Sequence, residues 1–262
     1  MLKSEEKANK LKMKNIYTFK NLSAQTACQH LVTQKNSSSP YSFSLALHTQ
    51  ENPKEILENR AYFKEQYPNM SFIVANQTHS DNIHVVKENK EIGWEKLEDA
   101  IQNCDALISN QKNIMLTILT ADCVPILLFD PIKKVVGAVH AGWKGTEQEI
   151  VLKTVKKMQS EFNADPKDII VGIAPSIGKC CYEVDWNVAQ HFKNIKDAYT
   201  QNGEKYMLDL PHINKTQLLK AGVKEQNIEH SNICTACEVD SYFSYRKEQG
   251  CSGRFMSMIG IS

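Results

Sequence analysis

The sequence predicts an α/β fold of α+β character, with mixed β-sheets flanked by helices in a single domain. Three observations predict it. Several apolar runs in the middle of the chain are continuous rather than alternating, the pattern of strands buried on both faces. A long amphipathic helix follows directly on them. No Pro- or Ser-rich linker divides the chain, and nothing repeats at a solenoid period. With 262 residues and 42% hydrophobic content, the chain can bury a substantial core.

Residues 1–14 are charged, rich in Lys and Glu, and read as an N-terminal tail or frayed helix, which leaves the domain over 15–262. Residues 16–19 suit a first strand. Ser37-Ser38-Ser39-Pro40 is a turn, and Tyr41 to His48 alternates like a strand. Asn52-Pro53 opens a helix to about Gln66, with proline in its first turn. Short strands are expected at 71–75 and 82–86, joined by the polar turn Gln77-Thr78-His79-Ser80-Asp81. Further strands are expected at 105–109, 114–119, 125–129 and 135–140, with Asp130-Pro131 turning between the last two. Gly142 to Gly145 leads into one helix over 146–162, whose apolar stripe is Ile150, Val151, Val155, Met158 and Phe162. Residues 168–174 read as another buried strand, 186–192 and 213–221 as helices, and 254–261 as a strand that closes a sheet.

Charge narrows the function. The formal net charge is +1, from 31 basic and 30 acidic side chains. That excludes a broad basic field for nucleic acid and an acidic excess for metal buffering, so a small-molecule substrate is expected. The first residues lack the apolar core of a secretory signal. The longest apolar stretch, 114–129, is broken by Thr117, Thr120, Asp122 and Pro125, so no membrane span is expected and the protein reads as cytoplasmic. The eight cysteines are then thiols rather than bridges.

Three residues sit where strands end, the places where a rigid scaffold presents groups to solvent. His79 lies in the polar turn after the strand at 71–75. Cys123 lies in the break Thr120-Ala121-Asp122-Cys123-Val124-Pro125. His140 ends Val135-Val136-Gly137-Ala138-Val139 and precedes Ala141-Gly142-Trp143-Lys144-Gly145. Two imidazoles and one thiolate suit a catalytic zinc, which takes three protein ligands and keeps one position open. Such a metal activates water or polarises a substrate oxygen, with Asp122 as a neighbouring proton-transfer group. Spacing alone leaves open the ordinary alternative, a buried cysteine and two strand-end histidines bonded to backbone. His48 is a lesser candidate for lining a site.

The blocks Asn76-Gln77-Thr78-His79-Ser80, Thr120-Ala121-Asp122-Cys123-Val124-Pro125-Ile126 and Val139-His140-Ala141-Gly142-Trp143-Lys144-Gly145-Thr146 together resemble the YfiH-type laccase-domain family. It is also called the polyphenol oxidase family, and later-described members are purine nucleoside phosphorylases. Ile177-Gly178-Lys179-Cys180-Cys181-Tyr182-Glu183-Val184, Asp209-Leu210, Cys234-Thr235 and Tyr242-Phe243-Ser244-Tyr245-Arg246 extend the likeness from about Tyr41 to the C-terminus. The resemblance implies zinc on His79, Cys123 and His140, and a fold of mixed sheets flanked by helices. It implies phosphorolysis of adenosine, inosine and methylthioadenosine, with adenosine deamination beside it. Some members are linked instead to peptidoglycan-precursor editing or to copper-dependent phenol oxidation. The family's early Thr-Arg, Gly-Gly pair and Ser-Leu-Asn-Leu read here as Thr33-Gln34-Lys35 and Ser44-Leu45-Ala46-Leu47. Phosphate must then be held by another cation, with Lys35, Lys144, Arg246 and Arg254 as the choices.

The candidate catalytic residues are therefore Cys123, His140 and Asp122. Lys144 at a helix start, Trp143 as a stacking surface and Arg246 are the candidates for substrate and phosphate. Cys234-Thr235-Ala236-Cys237 has zinc-knuckle spacing, and Cys180-Cys181 could complete a four-thiol site with it. Adjacent cysteines seldom both ligate one ion well, so separate thiols are expected there. The main competitor to a zinc-dependent nucleoside enzyme is a metal-free hydrolase with Cys123 as nucleophile and His140 as base. Copper at the same ligands is a further possibility. A multicopper laccase is not expected, because its cluster needs several His-x-His pairs and the eight histidines here include none.

Overall fold

A computed structural model describes residues 16–250 and 252–262. The tail read over residues 1–14 lies outside the described residues, as does Cys251. In chain order the strands are β1 (Ile16–Tyr17), β2 (Cys28–Thr33), β3 (Ser71–Val74), β4 (Ile83–Val85), β5 (Ala106–Ser109), β6 (Ile114–Thr120) and β7 (Val124–Asp130). There follow β8 (Val135–Ala141), β9 (Ile170–Ile173), β10 (Glu183–Val184), β11 (Tyr199–Asn202), β12 (Lys205–Leu208), β13 (Ile228–His230) and β14 (Phe255–Ile261). Among the described residues they form a mixed sheet in the order β1-β2-β14-β6-β3, a mixed sheet in the order β13-β9-β7-β8-β5-β4, and a small sheet β10-β12-β11.

The two large sheets pack face to face. Ile114, Leu116 and Ile118 of β6 and Phe255, Ile259 and Ile261 of β14 meet Leu127 and Phe129 of β7 and Val136 and Ala138 of β8 in one apolar layer. The alternate residues of the same strands point outward to helices. On the far side of the six-stranded sheet, Ile126 and Leu128 pack under Val151, Val155 and Met158 of the helix Ile150–Phe162. On the far side of the five-stranded sheet, Met115, Met256 and Met258 pack with Phe63 of the helix Pro53–Gln66. Helix, sheet, sheet and helix thus stack in four layers. This is why β6, β7, β8 and β14 read as nearly continuous apolar runs: every position has a packed face. Gly260 marks how tightly β14 and β6 approach, since a Cβ there would stand 2.1 Å from the Ile114 carbonyl oxygen.

Two expectations need correction. Tyr41 to His48 is not a strand. Tyr41, Ser42 and Phe43 take φ of 46°, 52° and 70° in a tight turn. The carbonyls of Ser44 and Leu45 are taken by the Asn59 and Arg60 side chains instead of a strand neighbour. The helix expected over 146–162 is two helices, Trp143–Glu147 and Ile150–Phe162, broken at Glu149 with φ of 57°. The side chains of Asn214 and Gln217, on the helix Leu210–Lys220, bond the Thr146 hydroxyl and carbonyl and hold the first helix apart. β2, for which the sequence raised no expectation, lies between β1 and β14, and Gln29, His30 and Thr33 hide its alternation in the sequence.

Candidate metal centre

The site forms where the chain crosses from one large sheet to the other. β6 ends at Thr120 and β7 begins at Val124, so Cys123 sits on the three-residue crossing between the sheets. The β7–β8 register places Val124 opposite Ala141 and Pro125 opposite His140. Cys123 therefore emerges beside His140 and Gly142. Gly142 is required there by space. A Cβ would lie 2.9 Å from His79 Cδ2 and 3.1 Å from Cys123 Sγ.

His79 arrives from the loop between β3 and β4. Gln77 fixes that loop by exchanging two 2.8 Å bonds with the Leu119 backbone, as a strand residue would. His79 itself has φ of 61°, a left-handed conformation that a non-glycine residue holds only when its surroundings enforce it. The enforcing group is Asp105. Its fully buried carboxylate accepts from the backbone N–H groups of His79 at 3.0 Å and Ser80 at 2.7 Å, and from the Ser80 hydroxyl at 2.7 Å. It also accepts His140 Nδ1–H at 2.7 Å. One carboxylate thus orients both imidazoles and fixes the His140 tautomer, leaving Nε2 for the site. Burial alone raises the Asp105 carboxyl, but His140 and Ser80 outweigh it and hold it well below the usual carboxylate range. Sequence reading passed over Asp105. The available signal was an acidic residue set directly before the apolar strand Ala106–Ser109.

The result is convergence of His79, Cys123 and His140, whose ligand atoms all lie within 4.8 Å of one another. His79 Nε2 is 3.8 Å from Cys123 Sγ, and the two imidazole rings meet edge to face at 4.8 Å. Burial raises the Cys123 thiol, yet the adjoining His140 and His79 pull it down to about 6. Burial lowers His140, yet Cys123 and Asp105 push it up to about 9. Two imidazoles and a thiolate in mutual reach, with His140 backed by a carboxylate, fit the donor chemistry of a three-ligand metal centre.

All three face a cavity of about 450 Å³, within the range of small-molecule pockets. His48, Asp122, Tyr182, Tyr245, Arg246 and Arg254 also line it. The Asp122 carboxylate is already engaged, accepting from the Thr235 hydroxyl at 2.7 Å and from the Arg246 N–H at 2.8 Å. Arg246 donates one Nη1–H to the Glu183 carbonyl and lies over the Tyr182 ring. Arg254 turns its Nη1 to the Ser252 and Gly253 carbonyls. Both guanidiniums keep N–H groups without a partner among the described residues. Burial, with the cationic Arg254 and Arg60 nearby, lowers His48 to about 4, so this imidazole is neutral at pH 7.

Trp143 and Lys144 are not among the residues that line the cavity. Trp143 packs against the core and the His191 ring, with Lys144 over its indole. Lys35 is held by Glu248 and the Val239 carbonyl. Of the four cations considered for phosphate, the structure brings Arg246 and Arg254 to the cavity and sets Lys35 and Lys144 elsewhere.

The fold and centre together define a four-layer α/β protein with a His-Cys-His group at a sheet-to-sheet crossing. The chain belongs to the family described as multi-copper polyphenol oxidoreductase laccase, which matches residues 28–262. The likeness read from the sequence motifs is thereby borne out. A Bacillus subtilis relative named purine nucleoside phosphorylase YlmD is 33% identical over 228 residues, covering 84% of this chain and 82% of its own. The crystal structure of Bacillus licheniformis hypothetical protein YfiH superposes with a TM-score of 0.88 at 30% identity, over 96% of this chain and 98% of that one. YlmD from Geobacillus stearothermophilus superposes at 0.85 and 30% identity, over 90% and 93%. Among the described residues, no helix is long and apolar enough to cross a membrane.

Proposed function

We propose that the protein is a zinc-dependent purine nucleoside phosphorylase acting on adenosine, inosine and methylthioadenosine, with adenosine deamination as a second activity. The observation that carries this reading is the convergence of His79, Cys123 and His140 at a cavity that also holds two arginines with unengaged N–H groups. Relatives named as purine nucleoside phosphorylases support the substrate class.

The three ligand residues would hold the zinc, which would supply Lewis acidity and water activation when bound. The chain's own groups do the rest. Arg246 and Arg254 take the place of the family's missing arginine, and their free edges suit a phosphate dianion. In phosphorolysis a phosphate oxygen bonds to the ribose anomeric carbon as the glycosidic bond breaks and the electron pair leaves with the purine. Cation placement next to the attacking phosphate lets it approach a ribose that is itself turning positive. The purine then needs hydrogen-bond partners as it leaves. Burial raises the Tyr182 phenol, so it keeps its proton as a donor, and neutral His48 is both donor and acceptor. Asp122, with both oxygens occupied, is a positioning residue that ties Cys123 to the loops carrying Thr235 and Arg246.

The test is product analysis. Zinc-loaded protein with adenosine is expected to give adenine and ribose 1-phosphate only when phosphate is present, and inosine without it. Turnover under argon should match turnover in air. Absence of product from all three nucleosides rejects the assignment. The Gly142→Ala variant adds a geometric test. Gly142 has φ of −71°, so alanine is free of backbone strain and its methyl acts only by crowding His79 and Cys123. Zinc affinity is expected to fall about 10–100-fold, the scale seen when ligand orientation is disturbed. Chelator competition reads it, and an unchanged affinity contradicts the ligand set.

One observation favours a second reading. Cys123 drawn down, His140 pushed up and Asp105 behind His140 form a Cys–His–Asp arrangement, the logic of a metal-free thiol hydrolase. Metal analysis separates the two: zinc that protects Cys123 from alkylation supports the first. The oxidase chemistry in the family's description asks for more donors than the described residues offer. Their metal-capable His/Cys groups are this trio and a set of four cysteines. Copper at the trio would be a single centre.

A further inference from the structure

Outside the cavity, four cysteines that the sequence scatters over two segments come together. The sulfurs of Cys180, Cys181, Cys234 and Cys237 all lie within 4.8 Å of one another. Cys237 Sγ stands 3.6 Å from Cys180 Sγ and 3.5 Å from Cys181 Sγ. A tetrahedral ion with metal–sulfur bonds of about 2.3 Å needs sulfur–sulfur edges of about 3.8 Å. The cluster is therefore already near the dimensions of such a site.

The backbone explains the convergence. β9 and β13 are parallel neighbours, with Ile173 opposite His230, so the segments that follow them leave the same end of the sheet side by side. Thr235 N–H donates to the Ser176 carbonyl and keeps them together. On the first segment, the N–H groups of Cys181 and Tyr182 both bond the Gly178 carbonyl, and this turn lets adjacent Cys180 and Cys181 each approach Cys237. On the second, the N–H groups of Cys237 and Glu238 bond the Cys234 carbonyl, which curls Cys234-Thr235-Ala236-Cys237 into a knuckle. Gly178 N–H then points at Cys234 Sγ at 3.2 Å. A side chain at Gly178 would press on Cys234 and Cys180, at 3.3 and 3.4 Å. Backbone donors aimed at a sulfur stabilise a thiolate.

We propose that Cys180, Cys181, Cys234 and Cys237 form a second metal site, which takes one zinc ion in a closed four-thiolate set. Against the expectation of separate thiols stands the geometry: the turn at Gly178 lets both adjacent cysteines approach Cys237. Each thiol releases its proton to solvent on binding, and no electrons are transferred. A disulfide is the poorer reading. Cys237 is nearly equidistant from two partners, which singles out no pair for a bond of about 2.05 Å. A closed site of this type has no open position for substrate and acts structurally. Its location gives that role a target. Thr235, inside the knuckle, donates its hydroxyl to Asp122, and Ile177 N–H bonds the Asp122 carbonyl. Tyr182, next to Cys181, lines the cavity. Zinc would clamp together the two segments that hold the residue preceding Cys123.

The site is independent of whether the His-Cys-His trio binds metal, and the test keeps them apart. The full chain with both His79→Ala and Cys123→Ala is purified under reductant and its zinc measured by mass spectrometry. About one equivalent per chain is expected to remain, and adding Cys237→Ser should remove it. The same double variant refilled with cobalt alone should show the strong sulfur-to-metal charge-transfer bands of a four-thiolate tetrahedral ion, absent after Cys237→Ser. In the unmutated protein, chelation should open these four thiols to alkylation. This last measurement needs no variant to fold. Failure of the double variant to bind zinc or cobalt, or rapid alkylation of all four thiols in zinc-replete protein, overturns the proposal. So does a disulfide found among them in protein never exposed to oxidant.

Discussion

Replacing Asp105 by asparagine is expected to lower turnover about 10²–10⁴-fold and metal affinity about 10–100-fold, and to destabilise the fold by roughly 2–4 kcal/mol. The change is nearly isosteric, so the effect is chemical. Oδ1 accepts from His140 Nδ1 and the His79 N–H, and Oδ2 from the Ser80 N–H, the Ser80 hydroxyl and the Thr78 N–H. Asparagine has one acceptor oxygen and one NH2. If the NH2 faces His140, donor meets donor, and the imidazole is driven to the tautomer that carries its proton on Nε2. That removes a ligand. If it faces Ser80 and Thr78, two half-buried N–H groups lose their acceptor and the left-handed turn at His79 is released. Either way one histidine is lost to the centre. Chelator competition, thermal unfolding and steady-state kinetics read the three effects separately. A variant with wild-type metal affinity and rate would show that Asp105 is only a loop anchor. Stability should also depend on pH in a defined sense. Asp105 is depressed in the folded chain, so its contribution is complete above the unfolded carboxylate value and is lost as pH falls toward the lower folded value.

The three converging ligands were legible because each sits in a compact block at a strand end, where period and polarity change together. Asp105 was not, because a carboxylate before an apolar strand looks like an ordinary strand boundary, and only the β5–β8 pairing brings it to His140. The cysteine cluster was half legible. The knuckle spacing of Cys234 and Cys237 is local, but its partners depend on the parallel pairing of β9 and β13, which no spacing encodes. Trp143 and Lys144 misled for a related reason. They adjoin His140 in sequence, yet the short helix they start turns Trp143 onto the core and His191 and leaves Lys144 exposed over its indole. The buried sheets were readable throughout β6, β7, β8 and β14, since a strand with two packed faces must be apolar at nearly every position. Failure came where side chains supply the hydrogen bonds, as Asn59 and Arg60 do for the turn read as a strand.

The largest single loss is expected at Cys123. Its thiolate and the protonated His140 form a pair in the metal-free protein between about pH 6 and about pH 9. A metal that takes both residues as ligands must expel the His140 proton, because an imidazolium has no lone pair to give. Affinity therefore rises with pH. The pair contributes a slope of about tenfold per pH unit between 6 and 9, where one proton is displaced. The slope doubles below 6, where the thiol must also ionise, and the pair's contribution is flat above 9. Isothermal titration in buffers of different ionisation enthalpy at pH 7.5 should count about one proton from this pair. In the Cys123→Ala variant, the charge that raises His140 is gone and one of three ligands with it, so zinc binding and turnover should fall by at least about 10³-fold. Alkylation supplies the counter-test. A thiol held near 6 reacts quickly with iodoacetamide at neutral pH when the metal is stripped, and slowly when zinc is restored. Rapid, zinc-insensitive alkylation with turnover abolished would instead mark Cys123 as the nucleophile of a hydrolase, with His140 as its base and Asp105 behind it.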